Sequence, residues 1–224
     1  MIFMHIPDNI LKKLFNHVVF VIGTNCGGKT TMAKTLAKRQ GKAFYSADDH
    51  YWDHRALSDE HNQPQMNRPF LDWKEYFSRD AQAQAEWLYA CEREEMPFIF
   101  LDLVKLVRAH PEGIVADVHC VPEMLLHVSD GSRIVAMTAT DALVRREYFG
   151  RDDKNPLLAC IHRETTNPDE AKANVEETAV RVARIERHAI EQAGVFVDQR
   201  TDQTELNERL ARVEIHLGWR GNDD

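Results

Sequence analysis

"HVVFVIGTNCGGKTT", residues 17–31, decides the fold. Its first half, His17 to Gly23, is an apolar run rich in β-branched residues that stops at a glycine. That is the profile of a strand buried on both faces of a parallel sheet. Its second half carries G-x-x-x-x-G-K-[ST] complete, as Gly23, Gly28, Lys29 and Thr30. Glycines in such a turn let successive backbone N–H groups converge on one concavity, and the following helix adds the positive end of its dipole. The pattern predicts a phosphate cradle over Gly23, Thr24, Asn25, Cys26, Gly27, Gly28, Lys29, Thr30 and Thr31. Lys29 is expected at the β- and γ-phosphates, and the Thr30 hydroxyl on Mg²⁺. Cys26 reads as a small residue lending its backbone, since only the nearby helix start would activate its thiol.

Outward from the cradle, helix and strand signals alternate. "PDNILKKLF" (7–15) reads as a short helix before the first strand, and a helix follows from Lys29 to about Gln40, closed by Gly41. "KAFYS" (42–46) is a second strand, and 56–70, broken by Pro64 and Pro69, is a loop. Asp72 with Glu75 makes a capping box that opens a helix through about Glu95. "FIFLDLVKLVRAH" (98–110) is apolar on almost every side and reads as a buried helix, with a strand as the alternative. "GIVADVH" (113–119), "RIVAMTA" (133–139) and "VFVD" (195–198) are strands; long helices are expected over about 169–193 and 202–217. Such alternation implies right-handed crossovers and a parallel sheet. The expectation is a single domain over 1–224, with 47–112 as a helical insertion and about 145–168 as a lid.

Composition narrows the function classes. With 224 residues and 43% hydrophobic content the chain can bury a sizeable core. A formal charge of −8 argues against a broad nucleic-acid or anionic-membrane surface. Cys26, Cys91, Cys120 and Cys160 are scattered without a C-x-x-C pair, which favours reduced thiols. No basic segment leads into an apolar run at the N-terminus, and no stretch approaches the roughly 18 apolar residues of a membrane span. These features predict a cytoplasmic protein with no membrane partner; oligomeric state is not legible.

Two further stretches carry chemistry. Asp117 ends the "GIVADVH" strand, where an acid near the cradle can hold Mg²⁺ directly or through water; the plainer reading is a cap for the next helix. His119, two residues on, shares its face and reads as a packed histidine or a substrate contact. "ADDHYWDH" (47–54) follows the second strand at the cradle's edge of the sheet. It reads as a solvated turn, as a metal site through His50, Asp53 and His54, or as a place where a proton leaves a substrate. The metal reading lacks a third ligand at a familiar spacing. Tyr51 and Trp52 either stack on a ring-shaped substrate or anchor the turn.

The cradle, "FYSADDHYW", "IVADVHCVPE" and "RIVAMTATDALVRREYFGR" together resemble the P-loop small-molecule kinases, within them the uridine-kinase-like and nicotinamide-riboside-kinase-like members. The resemblance spans most of 17–217 in layout and is weakest over 56–112. It implies a P-loop NTPase three-layer α/β/α sandwich with a five-stranded parallel sheet in the order 2-3-1-4-5. It implies ATP and Mg²⁺ as cofactors and a small-molecule acceptor as partner. An aspartate after the second strand, Asp48 or Asp49 here, would take the acceptor hydroxyl's proton, and a hydroxyl attacking a phosphoryl group benefits from such an acceptor. Arginines after the fourth strand would close over the phosphates: Arg145, Arg146 and Arg151, with Arg163 behind them. A planar, permanently charged fork suits that work, and the alternative is salt bridging with Glu147 and Asp152. Residues 50–112 would set the acceptor, with Arg55, Arg68 or Arg79 available to an acidic one.

The function expected is transfer of the γ-phosphoryl group of ATP to a hydroxyl of a small metabolite, nucleoside or sugar-like molecule. The alternatives are a nucleotide-driven switch and a kinase of nucleotide monophosphates or nucleic-acid ends. No N-K-x-D follows a later strand, so guanine specificity has no support.

Overall fold

In the computed structural model, which describes residues 6–219, helix α1 (Asp8–Leu14) leads into β1 (Val18–Gly23), α2 (Lys29–Arg39) and β2 (Ala43–Ser46). A 3₁₀ turn over Ala47–Asp49 opens α3 (Tyr51–Leu57), followed by α4 (Trp73–Ser78) and the 29-residue α5 (Ala81–Ala109). Next come β3 (Ile114–Asp117), α6 (Pro122–Val128), β4 (Ile134–Ala139) and α7 (Asp141–Glu147). Two 3₁₀ turns join α7 to α8 (Asn155–Glu164), and α9 (Pro168–Ala193), β5 (Phe196–Arg200) and α10 (Leu206–His216) complete the chain. The strands form one parallel sheet in the order β2-β3-β1-β4-β5, as the resemblance implies.

Strand alternation builds the layers. Val18, Phe20 and Ile22 of β1 point to one face and pack with Met96, Ile99, Leu103 and Val107 of α5. Val19 and Val21 point to the other and meet Met32, Ala33 and Leu36 of α2 with Leu210 and Val213 of α10. Every β1 residue is buried, which is why the strand reads as a continuous apolar run. Register then places the functional strand ends. Asp117 of β3 pairs with Val21 on one side and with Ser46 of β2 on the other. The turn after Ser46 therefore emerges beside Asp117, at the same sheet edge as the cradle.

The segment between β2 and β3 departs from expectation in three ways. The stretch 47–54 is helical rather than an open turn, and α3 runs on to Leu57. The helix expected from Asp72 to Glu95 is two helices. Asp72 does cap α4 through the Glu75 N–H, but Arg79 turns extended and Asp80 starts α5 afresh, accepting from the N–H groups of Gln82 and Ala83. The buried helix expected at 98–110 is the second half of α5, which passes Pro97 without ending. Proline removes one N–H from the ladder, and the apolar face of Met96, Ile99 and Leu103 against the sheet outweighs that loss. All four cysteines are free and buried. Among the described residues no helix is long and apolar enough to cross a membrane.

The last strand and last helix brace the cradle from beneath. Asp198 of β5 is fully buried and accepts from Arg209 Nε at 2.5 Å and Arg212 Nη2 at 2.6 Å. Arg209 in turn donates from Nη2 to the Gly27 carbonyl at 2.7 Å. Removing one partner of such a pair strands a buried charge. Asp198→Ala is expected to lower unfolding stability by about 3–5 kcal/mol in urea titrations.

Candidate active site

The cradle's shape is set by how closely it approaches β4. A Cβ on Gly23, whose φ is +129°, would lie 1.9 Å from the Met137 carbonyl oxygen, and one on Gly27 would lie 2.2 Å from it. No side chain fits at either position. Gly28 caps α2 in the left-handed region at φ +87°, and Cys26 adopts φ +60° without being glycine. Its carbonyl accepts from Arg200 Nη1 at 2.9 Å, so the backbone is the part of Cys26 that the fold uses. Burial pushes its thiol pKa up. Lys29 donates from Nζ to the Gly23 carbonyl at 2.7 Å, and the Thr30 hydroxyl donates to Asp117 Oδ2 at 2.6 Å.

Above the cradle lies a cavity of about 380 Å³ whose walls include Asp48, Glu92, Asp117, His119, Arg151, Glu186 and Arg200. Burial opposes the charge on Lys29, yet Glu186, Asp117, Glu92 and Asp48 together hold its pKa above the ordinary value. Burial also raises the pKa of Asp117, against the pull of Lys29 and the Thr30 hydroxyl. The Thr30 hydroxyl and the Asp117 carboxylate are hard oxygen donors, 2.6 Å apart beside a phosphate-shaped loop. Among the described residues no group of three or more His, Cys, Asp or Glu side chains is placed to hold a metal. Two hard oxygen donors of this kind fit Mg²⁺, which takes one or two protein oxygens and completes its shell with phosphate and water.

Behind the cavity runs a buried chain of alternating acids and imidazoles. His119 Nε2 lies 2.7 Å from Glu95 Oε2, and Glu95 Oε1 lies 2.7 Å from His54 Nδ1. His54 Nε2 in turn lies 2.9 Å from Asp102 Oδ2. Glu95 is 1% and His54 2% exposed. Ionised carboxylates only accept, so an imidazole nitrogen facing one donates. Burial alone would lower the His119 pKa, but the bond to Glu95 and the nearby Glu92 push it up to about 9. The chain pins α3 to α5 and seats His119 at the cavity wall.

The sequence-predicted residues divide accordingly. Thr24, Asn25, Cys26, Gly28, Lys29, Thr30 and Thr31 line the cavity. Gly23 and Gly27 support it from below, through their carbonyls' bonds to Lys29 and Arg209. Asp117 and Asp48 line it, and Asp49 does not, although Asp48 and Asp49 are both exposed. Arg151 lines it and pairs with Asp153 at 3.0 Å. Arg145 and Arg146 do not: Arg145 is bound to Glu177, and Arg146 to Asp202 and Glu147. Arg163 pairs with Glu164. Of the salt-bridge partners expected, Glu147 meets Arg146, while Arg145 on the same helix reaches Glu177 of α9 and Arg146 also reaches Asp202 in the β5–α10 loop. Arg55 bonds the Met66 carbonyl, Arg79 holds Glu75 and Gln84, and Arg68 lies over Trp87, so none of the three meets this cavity. The possible metal set of His50, Asp53 and His54 is not formed, since His54 points into the buried chain. Trp52 is exposed. Sequence reasoning missed Glu92, Glu186 and Arg200. The two glutamates sit in helices rich in charge, where an acid reads as solvated surface, and Arg200 ends a strand with no motif around it.

No protein-family model matches the chain, and no curated protein sequence matches it. Among solved structures it is similar to a shikimate kinase from Acinetobacter baumannii, determined in complex with shikimate. The match has a TM-score of 0.50 at 15% sequence identity and covers 95% of this chain and 98% of that one. The likeness is one of fold.

The buried chain makes a specific demand of Glu95, whose two oxygens face a donor each. A glutamine offers one oxygen and one NH₂, so one imidazole would meet a donor. Glu95→Gln is expected to cost on the order of 3–5 kcal/mol in urea unfolding.

Proposed function

We propose that the chain is an ATP-dependent kinase that transfers the γ-phosphoryl group to a hydroxyl of a small molecule. The observation that carries the reading is Asp48, brought by the β2–β3 register into the same cavity as Lys29 and the Thr30–Asp117 pair. In this reading the acceptor hydroxyl attacks the γ-phosphorus while Asp48 takes its proton. The new O–P bond forms as the bond to the β–γ bridging oxygen breaks, and ADP leaves with that oxygen's charge. Lys29 is released from the Gly23 carbonyl to meet the phosphates, and the cradle's N–H groups bind the same oxygens. Mg²⁺ at Thr30 and Asp117 supplies neutralisation of the phosphate oxygens when bound. Arg151 and Arg200, both at the cavity wall, are the guanidinium groups available to the transferring charge.

Asp48 also supports the finer likeness to the uridine-kinase-like and nicotinamide-riboside-kinase-like members, whose base follows the second strand. The insertion between β2 and β3 and the segment from α7 to α8 serve as acceptor-binding and lid elements of one kinase domain in this reading. Four buried free thiols agree with a reducing compartment such as the cytoplasm.

The test is ADP release from MgATP in the presence of a panel of hydroxyl compounds, for the parent chain and two variants. Asp48→Asn is expected to lower kcat by about 10²–10⁴-fold, the range for removing a general base. Asp49→Asn is the comparison, and an equal loss there would move the base by one residue. ATP consumption that no small hydroxyl compound stimulates would sink the kinase reading.

A further inference from the structure

Among the described residues, five buried side-chain N or O atoms have no hydrogen-bond partner. Three of them, Gln84 Nε2, Glu92 Oε2 and Glu186 Oε2, belong to residues that line two neighbouring cavities: Glu92 and Glu186 line the cradle cavity, and Gln84 and Glu92 line a second one. This second cavity, of about 190 Å³, lies between α5 and α9 and shares Asn25 and Glu92 with the cradle cavity. Gln84 stands at its far end, and Glu92, two turns further along α5, at the junction, about 12 Å away along the helix. Glu186 of α9 faces the junction from the other side, 3% exposed. Tyr76 and Tyr148 wall the second cavity with Leu88 and Val182, and among the described residues neither Lys nor Arg lines that cavity.

Buried carboxylate oxygens without partners cost several kcal/mol unless something neutralises them. Lys29 is the nearest lysine, but it must face the phosphates, and the Thr30–Asp117 pair sits on the cradle side. A neutral polyol would fill the hydrogen bonds of Glu92 and Glu186 and bring no charge to compensate theirs. A protonated amine answers both needs. A carboxylate-bearing acceptor meets the wrong sign.

We propose that the α5–α9 cleft takes a hydroxyl-bearing acceptor whose cationic amine is held by Glu92 and Glu186, with an apolar or ring-shaped body between Tyr76 and Tyr148. The inference rests on the kinase reading for the hydroxyl's fate, not for the amine's binding. The amine keeps its proton and takes no part in transfer. Gln84 Nε2 is left to donate to an oxygen at the far end of the molecule. Burial raises the pKa of both glutamates, most of all Glu186, which is also pushed up by Glu92.

Calorimetric titration of the full chain without nucleotide tests this. The probes are phenylalaninol, its deaminated counterpart 3-phenylpropan-1-ol and the hydroxy acid 3-phenyllactate, with glucosamine against glucose as a second pair. The amine of at least one pair is expected to bind at least tenfold more tightly than its neutral counterpart, and 3-phenyllactate not at all. Glu186→Gln and Glu92→Gln should each abolish the preference. Glu186→Gln should also raise the Tm of the free protein, because it replaces an unpaired acid, so lost binding is separable from lost folding. Equal affinity for the neutral members, preference for the acid, or no binding of any amine overturns the inference. The same probes with MgATP separate the two readings. Amine binding without ADP release defeats the kinase reading and leaves the cleft assignment standing. Transfer to glucose or 3-phenyllactate, with no preference for amines, does the reverse.

Discussion

The charge around Lys29 is the constraint from which the rest of the site follows. One ammonium at the start of α2 faces Glu186, Asp117, Glu92 and Asp48, which arrive from four different elements. Four carboxylates around one lysine repel one another at close range in a partly dry cavity, where Coulomb interactions are several times stronger than in water. Such an arrangement persists only because each carboxylate is fixed by rigid structure behind it. Asp117 ends a fully buried strand, Asp48 sits in the turn that leaves its neighbour, and the two glutamates project from the longest helices of the fold.

That rigidity is built from apolar packing and a few buried ionic links. β1 supplies a side chain to each face in turn, and α5 and α2 cover those faces. β4 presses its Met137 carbonyl so close under Gly23 and Gly27 that the cradle cannot sag toward the sheet. Asp198 and Arg209 hold the Gly27 carbonyl from the far side of the sheet edge. The chain from Asp102 through His54 and Glu95 to His119 performs the same service for the cavity wall at His119. Each half of the cavity thus has its own buried ionic brace, and neither brace touches the other.

Much of this was legible in the residues. Gly23, Gly28, Lys29 and Thr30 declare a loop whose chemistry is local, so their spacing carried its structure. The strand sequences were equally plain, because burial on both faces leaves no polar gap. Asp48 and Asp117 were found by their place after strands, and the sheet order brings them together. The two glutamates were hidden for a physical reason. Glu92 and Glu186 lie about one hundred residues apart, on helices whose charged residues alternate with apolar ones, and only the packing of α5 on α9 turns both inward. Arg145 and Arg146 misled in the opposite sense. Their helix follows the fourth strand as a lid helix would, but its basic face finds Glu177 and Asp202 first. The histidines of 50–54 suggested metal because spacing alone cannot reveal that His54 points into a core already holding Glu95 and Asp102.

The net charge of −8 and the presence of a phosphate cradle are compatible because the cavity is polarised rather than uniformly charged. On the cradle side stand Lys29, Arg151, Lys154 and Arg200, reinforced by the N-terminus of α2. On the α5–α9 side stand Glu92 and Glu186, with no basic side chain along the cleft beyond them. A triphosphate in that cleft would face two buried carboxylates, and a cation at the cradle would face Lys29 and the positive end of a helix. Two ligands of opposite charge would be sorted by these electrostatics to the two neighbouring cavities. Asp48 lines the cradle cavity with the cationic and the acidic groups alike, where a hydroxyl and a phosphoryl group would have to meet.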